Sequence, residues 1–527
     1  MRQVASLARF GAFGPKAAFI ALVLPALAAC AVGPDFAPPP APPVAGYTPE
    51  KALAPTVSAD VAGGAGQAFV SGRDIPGEWW KVFHSKEIDA LITEALRANP
   101  SLLAAQAALW QAKETLYAQA GVMLPNFDAN GSFVRQGFSP AEFGLPASVF
   151  PPETFNLYQA TINVSYTPDV FGGQRRGIEA TAALAENQRF ALEATYLTLT
   201  ANVVTAAVQE ASLRGQIEAT LEIIKAESDQ LVVVSHQFEV GAATRADVLQ
   251  QESEVATTEA TLPTLQKQLV QQQHVLLALI GRFPNEGGND HVTLASLHLP
   301  TSLPVSLPSQ LVQQRPDVRA AQALLQQASA QIGVAVANRL PQFSITGDIG
   351  SAALTAATLF TPATAIWSLG IAGTQPIFHG FTLLHQERAA RANYEKVDAQ
   401  YRNTVITAFQ NVADVLRALQ LDAATLKAQQ RAVRAASDTF DLTRAQYRLG
   451  AITYVVLLNA ERSYDQARLA LVQAQAARFA DTAALFQALG GGWWNRADVV
   501  PDPYSPEPQI VQAASDAPAP IKTESSQ

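Results

Sequence analysis

The sequence predicts an α+β membrane protein built from two internal repeats, in which runs of strand contribute to a β-barrel and very long helices form coiled coils. Three observations predict it. First, a tip is written twice: Gln237 to Glu252 reads QFEVGAATRADVLQQE and, 209 positions later, Gln446 to Glu461 reads QYRLGAITYVVLLNAE, with Gln, Gly, Ala, Thr, Leu and Glu in register. Second, with an offset of 216, Pro100, Ala104, Ala105, Gln106, Pro125, Phe127 and Gly131 match Pro316, Ala320, Ala321, Gln322, Pro341, Phe343 and Gly347. Third, after Pro125 and after Pro341 the hydrophobic period switches from helical to alternating, then returns to helical for nearly seventy residues. Length alone would suggest several unrelated domains; two registers suggest one architecture in two halves.

The chain opens with Arg2, Arg9 and Lys16 ahead of an apolar run from Ala17 to Leu27, and Leu27-Ala28-Ala29-Cys30 closes it as a secretory signal. Residues 1–29 read as a lipoprotein signal peptide. The chain's one cysteine falls where a lipobox needs it, so Cys30 is the expected lipidation site. Loss of residues 1–29 would take the formal charge from −9 to −12, since that segment carries three cations and no acids. The apolar run is too short for a stable transmembrane helix, and no later stretch offers some twenty uninterrupted apolar residues, so a membrane crossing has to be a closed β-barrel.

Residues 30–73 are rich in Pro, Ala and Gly and read as an extended leader that tethers the anchor to the body. A first structural repeat is expected over 74–295. It begins with Ile88, Leu91, Ile92, Ala95 and Leu96 at helix spacing, is interrupted at Asn99-Pro100, and continues as a helix from Ser101 to about Met123. The second repeat, 296–495, follows the same order, and 496–527 form a polar, Pro-rich tail with no assigned function.

Strands follow the helices. Ala160, Ile162, Val164 and Tyr166 alternate with Thr161, Asn163 and Ser165, and Trp367, Leu369 and Ile371 alternate with Ser368, Gly370 and Ala372. Phe127 to Phe138 and Phe343 to Gly350 repeat the pattern more weakly. Each half thus offers two strands of about ten residues, long enough to span a membrane when tilted. Four strands cannot close a barrel of useful width, so a pore needs several chains; a soluble β-sandwich is the competing reading of the strands.

From about Gly173 to Val240, and from about Gly380 to Leu449, the pattern stays helical, a length of roughly 100 Å at 1.5 Å per residue. Ile217, Leu221, Ile224, Leu231 and Phe238 recur at spacings of four, three and seven, the seam of a coiled coil. A returning helix of about 35 residues follows each tip, ending at Ile280-Gly281 and Leu489-Gly490. In the tips, Gly241 and Gly450 suit the left-handed residue that ends a helix, and Thr244 and Thr453 can cap the next one. Asp247 completes a capping box with Thr244; Val456 stands at the matching place, so the second cap is weaker.

Charged residues make up only 15%, a mixture suited to long, closely packed helices, and the acidic balance argues against nucleic acid as a partner. Seven histidines are scattered, and the chain contains no HExxH, GxSxG, GxxxxGK[ST] or strand-borne GxGxxG. No enzyme activity, catalytic residue, cofactor or metal is expected.

The residues that complete the picture are Cys30-Ala-Val-Gly-Pro-Asp-Phe36, Arg315-Pro-Asp-Val-Arg319 with Leu340-Pro341 downstream, the two Gly-Ala-x-Thr tips, and Leu489-Gly-Gly-Gly-Trp493. Over nearly the whole mature chain the sequence resembles an outer membrane factor of the TolC and OprM type, in the NodT lipoprotein branch. The resemblance implies a homotrimer whose four strands per chain give a twelve-stranded barrel in the outer membrane, continued by a long α-helical barrel across the periplasm. It implies an exit duct for a tripartite efflux pump, partnered by a periplasmic adaptor, an inner-membrane transporter of the RND class and outer membrane lipid. The tips Gly241, Ala242, Thr244, Gly450, Ala451 and Thr453 become the expected docking surface for the adaptor. By the same resemblance the periplasmic gate comprises Tyr447, Val455, Val456, Asn459, Arg462 and Asp247, with Val456 and Asn459 where TolC carries acids. A duct for type I protein secretion, and a structural coiled-coil protein of the envelope, are the alternatives.

Overall fold

The computed structural model describes residues 31–50, 53–139, 153–287 and 292–496, so Cys30, the signal segment and the tail from 497 lie outside the described residues. The chain runs β1 (Ala68–Ser71), α1 (Lys86–Ala98), α2 (Pro100–Gly121), β2 (Asn126–Phe138), β3 (Glu153–Tyr166), α3 (Gly173–Glu239) and α4 (Arg245–Leu279). It continues with β4 (Ser302–Val305), α5 (Pro308–Gln314), α6 (Pro316–Ala337), β5 (Gln342–Ala353), β6 (Ala365–Thr374), α7 (Thr382–Arg448) and α8 (Tyr454–Ala488). Corresponding helices have equal lengths: 22 residues in α2 and α6, 67 in α3 and α7, 35 in α4 and α8.

Local chemistry sets the boundaries. The side chain of Asn99, which ends α1, accepts from the amides of Ser101 and Leu102 and so caps α2, with Pro100 at the first helical position where no amide is needed. Its amide group also donates to the Leu279 carbonyl at 2.8 Å, satisfying the exposed end of α4.

β2, β3, β5 and β6 form one antiparallel sheet in that order, which leaves β2 and β6 as edges unpaired within the chain. The register sorts the faces. Ala129, Ile162, Ile349 and Trp367 stand side by side across it, next to a row of Phe127, Val164, Gly347 and Leu369. The opposite face carries Asp128, Asn163, Asp348 and Ser368 in one row, and Ser368 donates to Asp348. The alternation read in the sequence is therefore an apolar face backed by a polar one.

α3 spans roughly 100 Å by its rise per residue, and its apolar central stretch is mostly buried inside the protein. It packs on α6 of the second half as well as on α4, α2 and α8, so the two halves interlock. One hydrophobic core runs from Ile75 through Trp79, Phe83, Leu303, Leu311 and Leu416 to Leu489. Trp79 is fully buried and stacks on Phe486 at 5.5 Å, each such ring contributing on the order of 2 kcal/mol by burial alone. Arg315 of the Arg-Pro-Asp motif ties this region together, donating to the Ala488 carbonyl at 3.1 Å while pairing with Asp317.

Two expectations need correction. The leader, read as a spacer between anchor and body, is fastened to the body along its length. Tyr47 donates to the Ser306 carbonyl at 2.9 Å, Arg417 pairs with Glu50, and Gln430 donates to the Asp60 carbonyl. Arg478, fully buried, reaches Thr56, the Ala65 carbonyl and the Leu419 carbonyl. β1, hidden in Gly-rich composition, pairs in parallel with β4. The coiled-coil seam is also displaced in part, by one position from Ile217, Leu221 and Ile224 to Gln216, Thr220 and Ile223, whereas Leu231 packs against the buried Val234 cluster. Within the chain α3 buries Gln216, Thr220, Ile223, Glu227 and Val234, while Leu221 and Phe238 are 49% and 42% exposed. The polar members of the true seam are hydrogen-bonded, Gln216 accepting from Gln473 and Glu227 from Thr258 at 3.0 Å each, and that is why a purely apolar count misplaces it.

Candidate functional site

The two tips share one construction. In the first, the Gly241 amide donates to the Phe238 carbonyl and the Ala242 amide to the Gln237 carbonyl; in the second, Gly450 donates to Tyr447 and Ala451 to Gln446. This is a Schellman turn, and it requires the left-handed residue that Gly241 (φ +79°) and Gly450 (φ +70°) supply. Nothing lies within 4 Å of where a Cβ would sit at either glycine, so conformation rather than space dictates the residue. Thr244 and Asp247 form the full capping box, with the Thr244 amide 2.8 Å from the Asp247 carboxylate. Thr453 caps α8 with its backbone alone. Gly241, Ala242, Thr244, Gly450, Ala451 and Thr453 are all exposed at this end of the molecule.

Polar rungs join the two helical hairpins just above the tips. Tyr447 donates to the Gln237 side chain at 3.0 Å, Tyr454 donates to Gln251, and Arg462 donates its Nε to Glu254 at 2.7 Å. Further up, Arg468 pairs with Glu222. A small apolar cluster of Val234, Val248, Tyr454 and Leu457 fills the space between the rungs. Burial raises the phenol pKa of both Tyr447 and Tyr454, so both remain donors at any physiological pH. The structure thus brings Tyr447 and Arg462 into links between hairpins.

The other expected gate residues divide. Val455, Val456 and Asn459 lie together on the side of α8 turned away from α3 and α4, where the valines are 44% and 45% exposed. Asp247 does not join them, because its carboxylate is committed to Thr244. Sequence reading missed Gln237, Gln251, Glu254 and Tyr454 as partners in these links. The available signal was Gln251, Glu254 and Thr258 at spacings of three and four, a polar stripe on the face of α4 that packs inward.

At the other end of the helices, the chain next to Cys30 is held where the sheet meets α3. Val32 donates to the Phe171 carbonyl at 3.0 Å, and Arg176 reaches the Val32 and Gly33 carbonyls and, at 2.6 Å, Asp35. Gly33 and Gly333 touch: a Cβ on Gly33 would lie 2.4 Å from the Gly333 Cα. Among the described residues no group of acids, histidines or cysteines suits a metal ion.

Comparison with known proteins agrees with this layout. The family model described as outer membrane efflux protein matches residues 91–282 and 307–491. The pyoverdine export outer membrane protein OpmQ of Pseudomonas putida is 29% identical over 79% of this chain and 88% of its own length. The toluene efflux pump outer membrane protein TtgC of Pseudomonas putida is 29% identical over 89% of this chain and 94% of its own. Nodulation protein T of Rhizobium leguminosarum is 27% identical over 94% and 97%. Among solved structures, the outer-membrane channel OprN superposes with a TM-score of 0.79 at 24% identity, covering 88% of this chain and all of that one. The CmeC outer membrane channel of Campylobacter jejuni gives 0.80 at 21%, covering 89% and 96%.

Proposed function

The chain belongs to the outer membrane efflux protein family, and from that premise we propose that it is the exit duct of a tripartite efflux pump. It resides in the outer membrane. One observation carries the reading: a sheet of four strands, apolar on one face and polar on the other, feeds directly into helices of 67 residues. The apolar face belongs against lipid and the polar face against water. The free edges of β2 and β6 have to pair, since unpaired backbone groups are not tolerated in hydrocarbon, and four strands are too few to close on themselves. Three chains would pair β6 of one with β2 of the next into a twelve-stranded barrel, with the helices continuing it through the periplasm.

In this arrangement the exposed tips meet a periplasmic adaptor, which joins the duct to an inner-membrane RND-type transporter that supplies the energy. Cys30, acylated, holds the leader to outer membrane lipid. The relatives named for pyoverdine export and toluene efflux favour small molecules over a polypeptide as cargo. Deletion of the gene should raise intracellular accumulation of small antimicrobials, and the purified protein should form ion-conducting trimers in planar bilayers. A monomer that never conducts would overturn the duct.

A further inference from the structure

Around the Arg462–Glu254 rung, four carboxylates lie near enough to repel one another where the hairpins pack: Glu227 of α3, Glu254 of α4, and Glu461 and Asp465 one turn apart on α8. Two of them lack what buried charges ordinarily have. Glu227 and Glu461 are 2% and 5% exposed, and the Oε2 of each is buried with no hydrogen-bond partner among the described residues. Neither has an ion-pair partner there; Arg462 is committed to Glu254 and Arg468 to Glu222. Glu227 receives only the Thr258 hydroxyl on its other oxygen, while Gln251 donates to its backbone carbonyl. A buried carboxylate without a cation is costly, and the usual remedy is a proton.

We propose that Glu227, Glu254, Glu461 and Asp465 form a proton-operated latch, which holds the second hairpin against the first while Glu227 and Glu461 are protonated and releases it when they ionise. The charged groups acting on the pair are Glu254 from α4, Arg444 from α7, and Arg462 and Asp465 from α8, with Arg468 acting on Asp465. Burial first, then repulsion within the cluster, raises Glu227 and Glu461 to about 7 and Asp465 to about 6. The sign follows from linkage. The packed state binds more protons than a separated, hydrated one, so separation is disfavoured at low pH and becomes progressively easier as pH rises from the ordinary carboxylate range to about 7. Above that the effect is complete.

As a control on conduction the latch rests on the duct reading, so one measurement is chosen that does not. Hydrogen exchange of the purified full-length protein, corrected for intrinsic rates, should show the amides of Glu461 to Asp465 and their neighbours on α3 less protected at about pH 8 than at about pH 5.5. The Glu227→Gln/Glu461→Gln double variant carries neutral side chains of similar shape and should stay protected at both. In bilayers the wild type should open at least about tenfold more often at the higher pH, one pKa unit of displaced proton binding being a factor of ten, and the double variant should lose that dependence. A protein that never conducts fails the duct, yet its exchange still decides the latch. Wild-type exchange that is equal at both pH values, or a folded double variant that keeps the wild-type pH response, overturns the proposal.

Discussion

Arg462 on α8 donates its Nε to Glu254 on α4 at 2.7 Å, and this contact is a direct tie between the hairpin that would move and the one that would stay. Glu254 is buried whereas Arg462 is half-exposed, so removing the cation leaves the acid without compensation in a site it cannot leave. An unsatisfied charged acceptor costs on the order of 1–3 kcal/mol, and solvent around Arg462 places this one at the lower end. Arg462→Ala should therefore favour the separated state and raise opening frequency about fivefold at neutral pH. Single-channel recording checks it; unchanged gating in folded trimers would remove this rung from the gate.

The tips offer a cleaner perturbation, because nothing packs against either glycine. Gly450→Leu introduces no clash, only a left-handed residue costing about 1–2 kcal/mol, so the second tip should rearrange while barrel and helices persist. Crosslinking to the adaptor should fall several-fold. Normal crosslinking by a folded trimer would move docking away from Gly450-Ala451.

How much of this was legible in the sequence depends on what each residue had to satisfy. Strands and long helices were readable because period 2 and period 3.6 are set by backbone geometry, and the tips because only Gly adopts the turn cheaply. Part of the seam was read one residue off because α3 is apolar on more than one flank, and the sequence does not say that Gln216 and Glu227 find partners at Gln473 and Thr258. Fastening of the leader was illegible for a similar reason: Tyr47, Thr56 and Asp60 bond residues hundreds of positions away, a pairing no local pattern encodes. Asp247 was read by position alone; its carboxylate caps its own helix while its charge also acts on Tyr447 and Tyr454.

Cys30 lies outside the described residues, but Val32 is bonded to Phe171 at the junction of sheet and helix, where the lipid leaflet would end. Acyl chains add affinity through buried methylenes, whereas the barrel holds itself in place by its apolar face. Cys30→Ser should abolish fatty-acid labelling and leave conductance intact. Labelled lipid on the mutant would show that the anchor is elsewhere.

The exposed valines of α8 make the sharpest case. Val455 and Val456 are nearly half exposed in a single chain and point away from the hairpin that α8 packs on, with Asn459 one turn further along the same side. In the proposed trimer, threefold symmetry would set that side around the axis. An apolar ring there closes by excluding water, and with no carboxylate at Val456 or Asn459 it should neither concentrate cations nor be blocked strongly by divalent ions. Val456→Asp puts three carboxylates at the constriction. Mutual repulsion and hydration should then wet it, giving higher conductance, greater cation preference, sensitivity to divalent ions and leakage of large antibiotics such as vancomycin. The change leaves the rungs at Tyr447, Tyr454 and Arg462 untouched, so a gain in conductance would report the ring itself rather than a loosened hairpin. Recordings of folded Val456→Asp trimers that match the wild type in both conductance and ion selectivity would place the constriction at another level of the helical barrel.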